Sequence, residues 1–217
     1  MSVGGDDDED AAQHPPETTG VPADVVVEDE EEIPDYDDAY LDAVRDRVMF
    51  SYDLERDHRA RDERFEMYGR LHMDRHKQFF HPALRFGHHY SEEHLFVRRA
   101  ESVDEAALDR LVELGHDLAS EWVDPDEEHY LTEFTFVVVA PEYDAAVESY
   151  VSGFRDRTLL KGGYYGHYEV NLVVVAPDRE TAVASAQADV AQAFRTWEDI
   201  EGESMGAVER LVRWIWR

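Results

Sequence analysis

Residues 134–141 read FTFVVVAP, and residues 170–177 read VNLVVVAP. Each is a run of β-branched and aromatic residues without alternation of apolar and polar positions. That pattern marks a strand buried on both faces. Each run ends in Ala-Pro, then an acid (Glu142 or Asp178), then a stretch with helical spacing. Strand, helix, strand at this separation implies a right-handed parallel crossover. The two runs therefore predict two central parallel strands, over about residues 132–140 and 168–176.

Upstream, Arg64 to Asp74 alternates. Phe65, Met67, Leu71 and Met73 face one way, and Arg64, Glu66, Tyr68, Arg70 and His72 the other, as in a half-buried strand. Lys77–Phe86 and His89–Ala100 read as two more strands, joined by short turns into an antiparallel meander. Pro82 places the middle one at a bend or an edge. Tyr40, Leu41, Val44, Val48 and Met49 predict a helix over residues 39–51, with Asp37 or Asp38 as its cap. Val103–Val123 carries an apolar stripe that ends before Pro125 and predicts a second helix. Another is expected over Glu180–Trp197. The fold class is α+β (mixed α/β): a five-stranded mixed sheet, with an antiparallel three-strand meander plus two central parallel strands, flanked by helices.

The 217 residues include 51 acidic and 21 basic ones, a formal net charge of −30, and no cysteine. Disulfides and cysteine-ligated metals are thereby excluded. Only Lys77 and Lys161 are lysines; the other basic residues are arginines. At 1 M salt the Debye length is about 3 Å, so the mutual repulsion of many carboxylates is screened. An acid-rich, lysine-poor surface is what molar salt favours, because the lysine stem exposes apolar area. The expectation is a halophilic, cytoplasmic protein. Residues 1–37 hold fourteen carboxylates and four prolines with no Lys or Arg, which predicts a disordered acidic tail. Residues 38–200 then form a single α/β domain, and residues 201–217 a C-terminal helical segment. No apolar run is long enough to span a membrane.

Two stretches stand out chemically. Arg56–Arg99 holds ten Lys and Arg residues against seven acidic ones, together with His58, His72, His76, His81, His88, His89 and His94. Such a stretch would receive an anion or an acidic partner, unless its side chains pair across the meander. Within it, HHYSEEH (88–94) has imidazole and carboxylate groups but lacks H-E-x-x-H, so no metal is assigned. The second stretch is LLKGGYYGHYEVN (159–171). Gly162 and Gly163 open the backbone to close approach beside Lys161. His167, Glu169 and Asn171 share one face of the following strand. Lys161, Gly162, Gly163, His167 and Glu169 are the expected ligand-binding residues, for a small anion or polar ligand. No cofactor is indicated. At the C-terminus, LVRWIWR holds Trp214 and Trp216, residues suited to self-association.

The runs YDLERD (52–57), FFHPAL (79–84), EHLFVRR (93–99), DPDEEHY (124–130), FRDRTLLK (154–161) and GHYEVNLVVVAPDRE (166–180) resemble an uncharacterised haloarchaeal family, a domain of unknown function. The resemblance spans about residues 40–198 and implies a single salt-adapted domain without implying any activity. Helix, three-strand meander, helix, strand also resembles the core of restriction-endonuclease-like nucleases. That core needs an Asp near the second strand, for which Asp74 is the candidate, and Glu-x-Lys on the third. The third strand here, His94-Leu-Phe-Val-Arg-Arg, has none.

A non-catalytic binding or accessory domain for a small anionic ligand or a protein partner is the first expectation. The second is a hydrolase or nuclease-like enzyme drawing on Glu66, His72, His167 or Glu169 as acid/base groups. Nucleic-acid binding ranks third, since counterion release contributes little at high bulk salt.

Overall fold

The computed structural model describes residues 33–77 and 87–198. The acidic tail before Ile33, most of the strand expected at Lys77–Phe86, and the C-terminal segment lie outside the described residues.

Helix α1 (Ala39–Val48) starts where the Asp38 carboxylate accepts the backbone N–H groups of Tyr40 and Leu41. It buries Leu41, Val44 and Val48, spaced for one helical face. Strands β1 (Asp53–Ala60), β2 (Glu63–Lys77) and β3 (Gly87–Arg99) come next as an antiparallel meander. Helix α2 (Glu105–Trp122), capped by Asp104, crosses over to β4 (His129–Val139), which runs parallel to β3. Helix α3 (Ala145–Gly153) leads to β5 (Asp156–Leu159) and then to β6 (His167–Ala176), parallel to β4. Strand β7 (Thr181–Ala184) and a 3-10 turn (Asp189–Phe194) complete the described elements.

The sheet order is β1-β2-β3-β4-β6-β5, with β7 also paired to β6. The two non-alternating runs are thus the paired parallel strands β4 and β6, as expected. The fold is mixed α+β, but among the described residues the sheet has seven strands rather than five. Three differences account for the change. The meander begins with β1, and β2 pairs directly with β3. Strand β5 was not foreseen. The helix expected over Glu180–Trp197 is absent: Glu180 adopts a left-handed conformation (φ 53°) and turns the chain back along β6 as β7.

The alternation hidden in the apolar runs now resolves. Phe134, Phe136, Val138, Val170, Leu172 and Val174 enter the core under α2 and α3. Val137, Val139, Val173 and Val175 enter a second core with Leu41, Val44 and Val48 of α1, joined by Phe194 and by Tyr36 from just before the helix.

Candidate functional site

On the α1 face of the sheet, each of the three parallel strands changes character midway. Strand β3 runs from Val97 and Leu95 to Glu93 and Ser91. Strand β4 runs from Val139 and Val137 to Thr135 and Glu133. Strand β6 runs from Val175 and Val173 to Asn171, Glu169 and His167. The register places Glu93 beside Glu133, and Glu133 beside Glu169. Three carboxyl groups therefore form one row across adjacent strands, at the strand spacing of about 4.8 Å. Glu169 is buried, and Glu93 and Glu133 are half-buried.

Each member is held by its own partners. Tyr52, just past α1, donates its hydroxyl to Glu93 Oε2 at 2.5 Å. It fits because β2 has Gly69 opposite: a Cβ there would lie 3.2 Å from Tyr52 Cβ. Glu133 Oε1 accepts from Asn171 Nδ2 at 3.1 Å. A relay fixes that amide. The Leu172 N–H donates to Ser185 Oγ at 3.1 Å, and Ser185 Oγ donates to Asn171 Oδ1 at 3.2 Å. Glu169 Oε1 lies 3.2 Å from His167 Nε2 and 3.5 Å from Arg157 Nε. The Arg157 guanidinium also lies 3.3 Å from His167 Nδ1. A guanidinium only donates, so Nδ1 is the acceptor and the imidazole proton sits on Nε2, facing Glu169.

Burial pushes the Glu93 carboxyl up, reinforced by the nearby Asp189. Burial pushes Glu133 well above the usual carboxylate range, with further contributions from Glu93, Glu169 and Asp189. Asp189, on the 3-10 turn, is itself raised by burial. Desolvation and mutual repulsion thus push the Glu93 and Glu133 carboxyls up, and a positive charge brought against the row would oppose that shift.

His167 and Glu169 of the expected site are brought together here. Lys161, Gly162 and Gly163 occupy the turn between β5 and β6, with φ of 47°, 69° and 90°. The Lys161 side chain is exposed and makes no ion pair or hydrogen bond among the described residues. A strand, not a helix, precedes it, so it caps no helix dipole. A non-glycine residue in the left-handed region costs roughly 1–2 kcal/mol. Lys161→Gly should therefore raise the urea midpoint, by about 0.5–1 kcal/mol of stability once the added freedom of the unfolded chain is subtracted. A lower midpoint would show that the ammonium itself stabilises the turn.

Five arginines of the basic stretch are paired with carboxylates nearby. Arg56 pairs with Asp37, Arg64 with Asp57, Arg70 with Glu92, Arg98 with Glu63 and Arg99 with Asp38. His58 lies 2.7 Å from Glu55, and His72 lies 3.2 Å from both Glu92 and Asp74. His94 is buried against Tyr68, 2.8 Å from its hydroxyl, and burial lowers its pKa to about 4. In HHYSEEH the strand sends Glu93 to the α1 face and His94 to the other. Among the described residues no group of three His, Asp or Glu is close enough to hold a metal ion. Glu66 accepts the Arg99 backbone N–H at the far end of β3, about 20 Å along the strand from Glu93. Glu66, His72, His167 and Glu169 therefore do not share one site. On β3 the row glutamate is followed two residues later by Leu95, where a nuclease of the resembling fold needs lysine.

Tyr52, Glu133, Ser185 and Asp189 were not anticipated. For Glu133 a signal existed: overlaying FTFVVVAP on VNLVVVAP places it at the position of Glu169.

Fold and row together define an α+β domain with a row of three glutamates on one sheet face. The chain belongs to the family described as domain of unknown function DUF8052, whose profile matches residues 36–196. No curated protein and no solved structure matches the chain. Among the described residues no helix is long and apolar enough to cross a membrane.

Proposed function

We propose that this domain is a non-catalytic binding module that takes a protonated amine or guanidinium group on the row Glu93–Glu133–Glu169. The observation that carries the reading is the register: three adjacent parallel strands present carboxyl groups side by side on one face. The carboxyls are spaced by strands rather than gathered on a point, which suits an elongated donor with several N–H groups better than a single metal ion. This reverses the sign of the ligand expected from the arginine-rich meander, whose arginines named above already have carboxylate partners. His167 and Glu169 are retained from the expected site. The 51 acidic against 21 basic residues support a salt-adapted cytoplasmic setting. A partly buried row is screened less than the surface, so a cation is still recognised there at high salt.

Calorimetric titration with putrescine tests the reading. Glu133→Gln should weaken binding about ten-fold, the equivalent of about 1.4 kcal/mol. Binding undiminished in Glu133→Gln would sink the reading.

A further inference from the structure

Resting on that reading, we infer that the chain carries an internal occupant for the row: its own residues 204–217, which lie outside the described residues. The described chain ends close to the row. Arg47, in the last turn of α1, donates to the backbone carbonyls of Arg195 at 2.9 Å, Thr196 at 3.2 Å and Glu198 at 3.0 Å. The Tyr40 hydroxyl donates to the Phe194 carbonyl at 2.7 Å. The chain therefore leaves from beside the end of α1, the same end that delivers Tyr52 to Glu93. The 3-10 turn before the exit also supplies Asp189, which acts electrostatically on both Glu93 and Glu133. Residues 199–203 span up to about 17 Å when extended, enough to bring residues 204–217 onto the row.

The charge of this segment complements the row. Residues 204–217 read SMGAVERLVRWIWR, with three arginines and one acid in a chain of net charge −30. Arg210, Arg213 and Arg217 recur at helical spacing. On the helix expected there, successive guanidinium groups would rise about 4.5 and 6 Å along one face. The carboxyl row advances about 4.8 Å per strand. Guanidinium groups pair with carboxylates through paired N–H donors.

A hydrogen bond beside the row is also unmet among the described residues. Ser91 is buried, and its Oγ has no partner among the described residues. It lies two residues from Glu93 along β3, on the same face by strand alternation. An arginine reaching Glu93 has spare N–H groups for it.

The segment then acts as a tethered competitor that an external cation must displace. The test uses the full chain with Arg210→Gln, Arg213→Gln and Arg217→Gln together, and a synthetic peptide of residues 204–217. The triple variant should bind putrescine at least about five-fold more tightly than the parent, the scale of an ordinary coupling between ligands. The peptide should bind the triple variant and compete with putrescine, and Glu133→Gln in that background should weaken the peptide. If parent and triple variant bind putrescine alike and the peptide does not bind, the internal occupant is wrong while the cation-binding reading stands. If putrescine binds neither protein but the peptide binds through Glu133, the occupant stands and the small-amine reading falls. If neither ligand binds, both are overturned.

Discussion

Gly166→Ala should be among the most destabilising single substitutions in this domain, lowering stability by about 2–5 kcal/mol. Gly166 immediately precedes β6 and has φ +72°. A Cβ there would sit 2.7 Å from the Tyr130 carbonyl carbon and closer still to its oxygen. Both obstacles are backbone, so no rotamer change relieves them. Neither chain segment is free to retreat. The Gly166 carbonyl accepts the Leu160 N–H at 3.0 Å. One residue back, the Tyr165 carbonyl accepts from His129 Nδ1 at 2.7 Å, and His129 Nε2 lies 2.9 Å from Thr132 Oγ1. One residue on, His167 pairs with Leu131. The left-handed conformation alone accounts for roughly 1–2 kcal/mol and the overlap for about 1–3 more. Gly162→Ala is the internal control. Its φ is +69°, yet nothing lies within 4 Å of an added Cβ. Urea denaturation should show Gly162→Ala costing only the conformational part. Equal losses in the two variants would mean that the Tyr130 contact contributes nothing. Because Gly166 adjoins His167, the larger loss should bring a disturbed His167–Glu169 pair with it.

The parts of the fold visible in the sequence are those where one residue pattern answers one physical demand. Strands β4 and β6 are buried on both faces and announce themselves by their valines. The two longer helices announce themselves by an Asp cap and an apolar stripe. Strand β1, DLERDHRA, gives no such sign, because an edge strand pairs on one side only and is kept charged. Strand β7 was hidden for the opposite reason. Its Thr-Ala-Val-Ala lies in an alanine-rich run that suits a helix, and the left-handed Glu180 overrides that propensity. The row was half legible. All three parallel strands repeat a glutamate followed three and four residues later by an apolar pair: Glu93 with Phe96 and Val97, Glu133 with Phe136 and Val137, Glu169 with Leu172 and Val173. Finding that repeat depends on knowing that β3 is parallel to β4, which the meander reading left open. Tyr52, Ser185 and Asp189 arrive from turns far along the chain, and only the folded register brings them in.

Glu133→Gln should stabilise the domain above neutral pH and leave it unchanged near pH 4. A carboxyl whose pKa is raised on folding holds its proton more tightly in the native chain than in the unfolded one. Between the unfolded value, about 4.3, and the raised native value, the native state binds more protons. Stability then falls as pH rises, by about 1.4 kcal/mol per unit for each such group, and the loss is absent below the unfolded value. Glu133 is the strongest case. Burial is the largest cause of its shift, and Glu93, Glu169 and Asp189 all add to it, against only the Asn171 amide. Glutamine keeps the oxygen that accepts from Asn171 and removes the ionisation. The comparison belongs in the chain carrying Arg210→Gln, Arg213→Gln and Arg217→Gln, where the row lacks its proposed cover. In that background Glu133→Gln should gain at least about 1 kcal/mol at pH 8 over the same chain with Glu133, and nothing at pH 4. Glu93 and Asp189, raised in the same direction, should leave a residual decline with pH in both proteins. With the arginines restored the gain should shrink, because a guanidinium on the row stabilises the ionised carboxylates that glutamine would replace. Equal denaturation midpoints for the two proteins at pH 8, or a gain that persists at pH 4, would show that folding does not raise the Glu133 carboxyl.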